Sequence, residues 1–256
     1  MKLRQAFDLH HHEVISLVGG GGKTTLMFAL ARELVATGGA VITTTTTKIF
    51  KPSDSDTFLI LEPDEEKLIA RMLSELKNYQ HLTLAAEDLP SGKIGGIRPE
   101  MVNRLAELEP LSCVIVEADG ARRKSLKAPN ATEPVIPDST SLVVPVVGID
   151  ALGCQLTEEN VFRPEIVSGI TGLPLGSIIS AETIATLVTH TEGIIKGSPG
   201  HARIIPLLNK VDLEGGLSKA RDLAARILER RHPRIDRVLL AQVQCVEPVV
   251  EVVSAG

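Results

Sequence analysis

Apolar residues fall into two rhythms along this chain. Short runs rich in Val and Ile, apolar at consecutive positions, occupy residues 14–18, 40–44, 113–117, 141–147, 203–208 and 237–242. Between them, residues 24–36, 64–77, 99–107, 181–190 and 217–231 carry apolar side chains every third or fourth position. The first rhythm predicts strands buried on both faces, the second amphipathic helices. Weaker alternation at 249–253 predicts a closing hairpin strand. Strands alternating with helices describe a doubly wound α/β fold, its sheet mainly parallel with helices on both faces. No Ser/Gly linker, repeat or low-complexity tract intervenes, so residues 1–256 read as a single domain.

Composition sharpens this picture. Hydrophobic residues make up 43% but aromatics only 2%, with no Trp and one Tyr, so the core must be aliphatic. A net charge of -5 argues against nucleic acid or an anionic membrane as a partner. Cys113, Cys154 and Cys245 lie far apart with no CxxC pair, which suits a reducing compartment and not a zinc site. The N-terminal stretch is charged and includes His10, His11 and His12; three adjacent histidines on extended chain cannot all face one metal. No apolar run approaches the ~20 residues of a membrane span, so a cytoplasmic protein is expected. A homodimer is left open.

The most informative segment is Val14-Ile-Ser-Leu-Val-Gly-Gly-Gly-Gly-Lys23-Thr24-Thr25, which runs directly into a helical pattern. A strand, a glycine turn and a helix opening on Lys-Thr supply what a nucleoside triphosphate needs. Gly19, Gly20, Gly21 and Gly22 let backbone N–H groups approach phosphate oxygens, and the helix start adds its own donors. In this reading Lys23 reaches the outer phosphates, Thr24 ligates Mg²⁺ and Thr25 continues the phosphate cradle. The common P-loop pattern has Gly where Leu17 stands. The SIMIBI variant has a lysine where Val18 stands, so a lysine crossing a dimer from this loop is absent.

Two further motifs follow in the order GTPases use. The apolar run ending Val116-Glu117-Ala-Asp119-Gly120 places an acid at a strand end. Glu117 would hold the Mg²⁺ shell and the Gly120 N–H would sense the γ-phosphate, with Asp119 as an alternative acid. Later, Leu208 leads into Asn209-Lys210-Val211-Asp212. There Asp212 can accept both the ring N–H and the amine of guanine, Lys210 can lie along the base, and Asn209 can fix the loop. Adenine would leave that carboxylate unpaired, a loss of roughly 1–3 kcal/mol. Alone, this tetrapeptide could arise by chance; after a strand and downstream of a P-loop it specifies guanine. Threonines 43–47, including Thr46, and then Lys48 end the second strand, where a hydroxyl could reach Mg²⁺ or merely satisfy β-propensity. Arg122, Arg123, Lys124 and Lys127 form a basic patch suited to an anionic substrate or a client protein.

Together the Gly19–Thr24 loop, the Thr tract ending at Lys48, the run from Val116 through Arg122 to Pro134, Val147 to Gly153, Arg163 to Glu165 and Leu208 to Asp212 resemble the YqeC family. That resemblance covers almost the whole chain and implies an accessory protein for a selenium-dependent molybdenum hydroxylase. The expected function is a Mg²⁺-dependent GTPase of SIMIBI-like architecture, with catalytic Lys23, Glu117 and Asp119, that assists maturation of such a client. The alternatives are a nucleotide-dependent phosphotransferase or ligase, and a nucleotide-binding regulator with negligible turnover.

Overall fold

The computed structural model describes residues 1–53 and 55–255. A short helix, α1 (Leu3–Ala6), precedes β1 (Glu13–Gly19), α2 (Lys23–Val35) and β2 (Val41–Thr45). Next come β3 (Lys48–Phe50), β4 (Phe58–Leu61), α3 (Glu65–Glu75), β5 (His81–Ala85), β6 (Glu87–Leu89) and β7 (Lys93–Gly95). They are followed by α4 (Pro99–Ala106), β8 (Cys113–Glu117), β9 (Leu126–Lys127), β10 (Leu142–Gly148), β11 (Val161–Phe162) and α5 (Pro164–Thr171). The chain finishes with α6 (Ala181–Thr189), β12 (Arg203–Ile204), β13 (Leu207–Asn209), α7 (Gly216–Glu229), β14 (Arg237–Ala241) and β15 (Val249–Ser254).

A ten-stranded sheet runs in the order β15-β14-β13-β10-β1-β8-β2-β5-β4, with β12 also paired to β10. Its pairs are parallel except for β15, which returns antiparallel on β14. Alternation along β1 explains the two cores. Val14 and Val18 pack in the cluster that buries the apolar faces of α3, α4, α6 and α7, whereas Ile15 and Leu17 pack under α1 and α2. Every residue of β1, β8 and β10 is buried, as strands covered on both faces require.

Local signals set the helix starts. The Asp64 carboxylate caps the Lys67 N–H of α3, and the Ser180 hydroxyl caps the Thr183 N–H of α6. Pro99 and Pro164 open α4 and α5, where their missing N–H is harmless. The run expected at 203–208 divides into β12 and β13 around Pro206, which has no N–H for the ladder. Two small accessory sheets, β3-β7-β6 and β11-β9, were not expected. Among the described residues no helix is long and apolar enough to cross a membrane.

The chain moves to one side of β1 to make β2, β4 and β5, inserts β8 beside β1, then crosses to build β10, β13 and β14. The carboxyl ends of β1, β8 and β10 therefore flank the point where strand order reverses, the place such sheets bind ligands.

Candidate functional site

At that edge β1 breaks into four glycines with φ +92° at Gly19, +79° at Gly21 and +121° at Gly22. A side chain at Gly21 would also meet the Gly148 backbone nitrogen at 2.1 Å, so only glycine fits. Gly22 caps α2 without offering a side-chain acceptor. The N–H groups of Gly22, Lys23, Thr24 and Thr25 consequently have no hydrogen-bond partner among the described residues, and all four residues line one cleft. The other glycines do not behave as expected. The Gly19 N–H donates to Asp119 Oδ2 at 3.0 Å, Gly20 to the Val146 carbonyl at 2.8 Å and Gly21 to the Lys124 carbonyl at 2.9 Å. The anion cradle is thus the helix start, while the preceding glycines fit the loop against β8 and β10.

Beneath this helix start lies a buried charge network. Lys23, 3% exposed, donates to the Gly19 carbonyl at 2.6 Å and sits 3.1 Å from Asp119 and 3.5 Å from Glu117. Burial alone would lower its pKa, but Asp119 and then Glu117 hold the ammonium above its ordinary value. Burial pushes the Glu117 carboxyl above the usual carboxylate range, with Lys23 and the Thr24 hydroxyl opposing. The Thr24 hydroxyl donates to Glu117 Oε2 at 2.7 Å. Two cis oxygens around an octahedral Mg²⁺ lie about 3 Å apart, so Thr24 and Glu117 fit that ion with little movement. Among the described residues no three His, Cys, Asp or Glu side chains gather to hold a metal by themselves. The two acids left as alternatives in the sequence have different surroundings. Asp119, 1% exposed, is held by Lys23, Lys127 and the Gly19 N–H and does not line the cleft, whereas Glu117 does.

Lys127 is a correction to the basic patch. It is fully buried, 2.9 Å from both Asp119 and Glu133, and donates to the Gly120 carbonyl at 2.8 Å. A lysine flanked by two acids in a tight loop is an internal crosslink, not a surface for a client. Glu133 also accepts from Arg163 at 2.6 Å; burial opposes its ionisation, yet Arg163 and Lys127 hold its pKa below the ordinary value. Arg122 and Arg123 are exposed, both at positive φ (+47° and +63°), and both line the cleft with Gly120. The Arg122 guanidinium rests over Phe162 and that of Arg123 over Phe50, 4.9 and 4.5 Å from the ring centroids.

The threonine tract divides in two. Thr43, Thr44 and Thr45 are buried, their hydroxyls bonded to Thr83, the Leu84 carbonyl and the Glu117 carbonyl. They satisfy the sheet and do not face the cleft. Thr46, Thr47 and Lys48 do line it, although the Thr46 hydroxyl already donates to the Val135 carbonyl at 2.6 Å. The cleft has a volume of about 780 Å³. Lys124 of the basic patch lines it too, as do Phe50, Lys93, Glu133 and Phe162, which the sequence does not mark as site residues. The sequence carries no cue to this wall: Lys48, Ile49 and Phe50 are exposed, buried and exposed in the fold, but Ile49 and Phe50 are adjacent apolar residues with no polar alternation.

The late motif occupies the end of β13. Asn209 is buried; its amide donates to the Gly21 carbonyl at 2.8 Å and its Oδ1 accepts the Val243 N–H at 3.1 Å. It therefore braces the glycine loop against the segment after β14. Lys210 turns through φ +68° into the cleft, where it binds Ser125 and Asp150 at 2.8 and 2.7 Å. Asp212 is exposed and does not line the cleft.

The glycine loop, Glu117, the Arg122–Arg123 turn and Arg163 share one stretch of chain. Residues 15–165 match the family described as YqeC protein. The chain belongs to the YqeC family. It is 34% identical over 119 residues to the YqeC protein of Escherichia coli (strain K12), a match covering 46% of this chain and 46% of that one. The aligned part thus spans less than half of that relative. The YqeC match covers every residue lining the cleft except Lys210; Asn209 and Asp212 also lie beyond it.

Proposed function

We propose that this YqeC-family chain is a Mg²⁺-dependent nucleoside triphosphatase that prefers GTP. One observation carries the reading: the unpartnered N–H groups at the start of α2 open into the cleft beside Lys23 and the Thr24–Glu117 contact. Helix starts with free donors attract phosphate, and the lysine and hydroxyl are the groups a triphosphate with its cation needs. Thr24 and Glu117 would hold Mg²⁺, which would neutralise charge on the outer phosphates. Lys23, already positioned by two carboxylates, would turn its ammonium to a phosphate oxygen. Gly120, Thr46 and Thr47 border the same space and would meet the γ-phosphate end. Asn209 would keep the glycine loop in register, and Lys210 and Asp212 would recognise guanine.

The family resemblance extends the proposal to the cell. Hydrolysis would assist cofactor insertion or maturation of a selenium-dependent molybdenum hydroxylase. A second reading, nucleotide-dependent phosphoryl transfer to an anionic acceptor, is favoured by Lys48, Lys93, Arg122 and Arg123, which line the cleft without an ion pair among the described residues.

Binding of GTP and ATP measured with and without Mg²⁺ tests the first reading, together with phosphate release in the absence of any acceptor. GTP should bind more tightly and release phosphate. Asp212→Asn should shift preference toward xanthosine triphosphate, because its amide donates where the carboxylate accepted. Equal affinities for GTP and ATP would remove the guanine assignment. Consumption of GTP only when an acceptor is added would select the transferase.

A further inference from the structure

The β3–β7 wall of the cleft carries positive charge that the nucleotide reading does not use. β3 pairs antiparallel with β7 so that Phe50 faces Lys93 across the ladder, with Ile49 opposite Ile94. Ile49 and Ile94 are buried in the core under α1 and α2. The other face therefore presents Lys48, Phe50 and Lys93 together to the cleft. Phe50 is 48% exposed, an unusual position for a large apolar ring. Arg123 sits over that ring at 4.5 Å and Lys93 at 5.1 Å, so the ring supports both cations. Phe162 supports Arg122 in the same way at 4.9 Å.

The other cations at this edge are engaged: Lys23 pairs with Glu117 and Asp119, and Lys124 donates to the Glu159 carbonyl. Lys127 and Arg163 pair with Glu133, and Lys210 with Asp150. Lys48, Lys93, Arg122 and Arg123 have no ion pair among the described residues, although Glu87 lies over Gly95 on the same face of this small sheet. In a chain of net charge -5, four cations on one cavity with neither an ion pair nor a hydrogen-bond acceptor among the described residues require an explanation. Guanidinium forks and ammonium groups held side by side suit the oxygens of phosphate or carboxylate.

We infer that the β3–β7 wall binds a second, small oxyanionic ligand alongside the nucleotide. Lys48, Lys93 and Arg123 hold its phosphate or carboxylate group, and Arg122 faces it from the Phe162 side. The joint occupancy rests on the nucleotide reading above; the anion site itself does not.

Titration calorimetry with inorganic phosphate and with citrate distinguishes phosphate from carboxylate chemistry. Each is titrated into protein saturated with GDP and Mg²⁺, and into nucleotide-free protein. The comparison variant is Lys48→Met/Lys93→Met, which keeps both apolar stems and removes both charges. At least one anion should bind the GDP-loaded wild type, and the variant should weaken it tenfold or more while GDP affinity stays within twofold. Should the pair disturb folding, seen as an altered circular dichroism spectrum, Lys93→Gln alone should weaken the anion threefold or more. The inference fails if neither anion binds at millimolar concentration, if the variant binds it unchanged, or if GDP loses affinity by the same factor. If GDP does not bind at all while the anion binds and is lost in the variant, the nucleotide reading falls and the anion site stands.

Discussion

Replacing Lys127 by Met tests whether a buried lysine holds the loop after β8 to the site. The ammonium has three partners, Asp119 and Glu133 at 2.9 Å each and the Gly120 carbonyl at 2.8 Å. Methionine fills a similar volume but leaves all three. Breaking one side of a buried ion pair costs ~3–5 kcal/mol, since the abandoned charge stays desolvated. Asp119 would keep Lys23 and the Gly19 N–H, and Glu133 would keep Arg163, so the lower end applies, about 3 kcal/mol. For a chain of this length each kcal/mol shifts Tm by roughly 2–4 °C, giving a loss of ~6–12 °C. Urea unfolding should show the midpoint falling with the slope unchanged. A double-mutant cycle with Asp119→Asn should give coupling of ~1–3 kcal/mol, because each variant removes the same contact. A loss below ~1 kcal/mol, or strict additivity with Asp119→Asn, would refute the crosslink.

Other perturbations probe the remaining parts of the edge. Glu117→Gln should sharply weaken Mg²⁺-dependent nucleotide binding, read by calorimetry, yet gain stability over the wild type as pH rises. The wild-type carboxyl has a raised folded pKa, chiefly through burial. Its favourable contribution is therefore full below the ordinary carboxylate range and lost as pH climbs through the raised value; parallel stability–pH curves would contradict this. Asn209→Ala leaves the Gly21 carbonyl and the Val243 N–H unpaired and should cost ~1–3 kcal/mol in denaturant unfolding. Gly21→Ala combines φ +79° with a 2.1 Å approach to Gly148 nitrogen, so a loss of at least ~2 kcal/mol is expected on thermal unfolding. Lys23→Ala should abolish triphosphate hydrolysis in a phosphate-release assay, and should also lower Tm because Glu117 and Asp119 lose their shared cation.

Much of this was readable in the residues, for reasons that differ by segment. Residues 113–117 form β8 with the expected bounds because five apolar or strand-ending positions have no competing helical period. Lys23, Thr24 and Glu117 meet because parallel β1 and β8 pair Leu17 with Glu117, fixing the strand ends side by side. Hydrophobic rhythm could not reveal β3, β6 and β7, since three residues hold barely one full alternation. The sequence places Lys127 at the surface because a charged residue in a polar loop usually lies there; only three-dimensional closure brings Asp119 and Glu133 around it. The motif assigns the Gly19–Gly21 amides to phosphate, but their partners come from the loop after β8 and from β10, far away in sequence.

The turn at Arg122 and Arg123 has a bearing on what selection preserves. Both residues lie in the left-handed region, where a side chain carries a penalty of ~1–2 kcal/mol that glycine avoids. Two glycines would relax this backbone, and each arginine offsets the strain only by its contact with an aromatic ring, about 0.5–1 kcal/mol at an exposed site. On stability alone the sequence is suboptimal there. Random substitution followed by selection for thermostability should drift toward glycine at both positions, whereas selection for function should hold arginine against that gradient. The tension between those outcomes locates, within a two-residue turn, where the conformation of the chain has been subordinated to its chemistry.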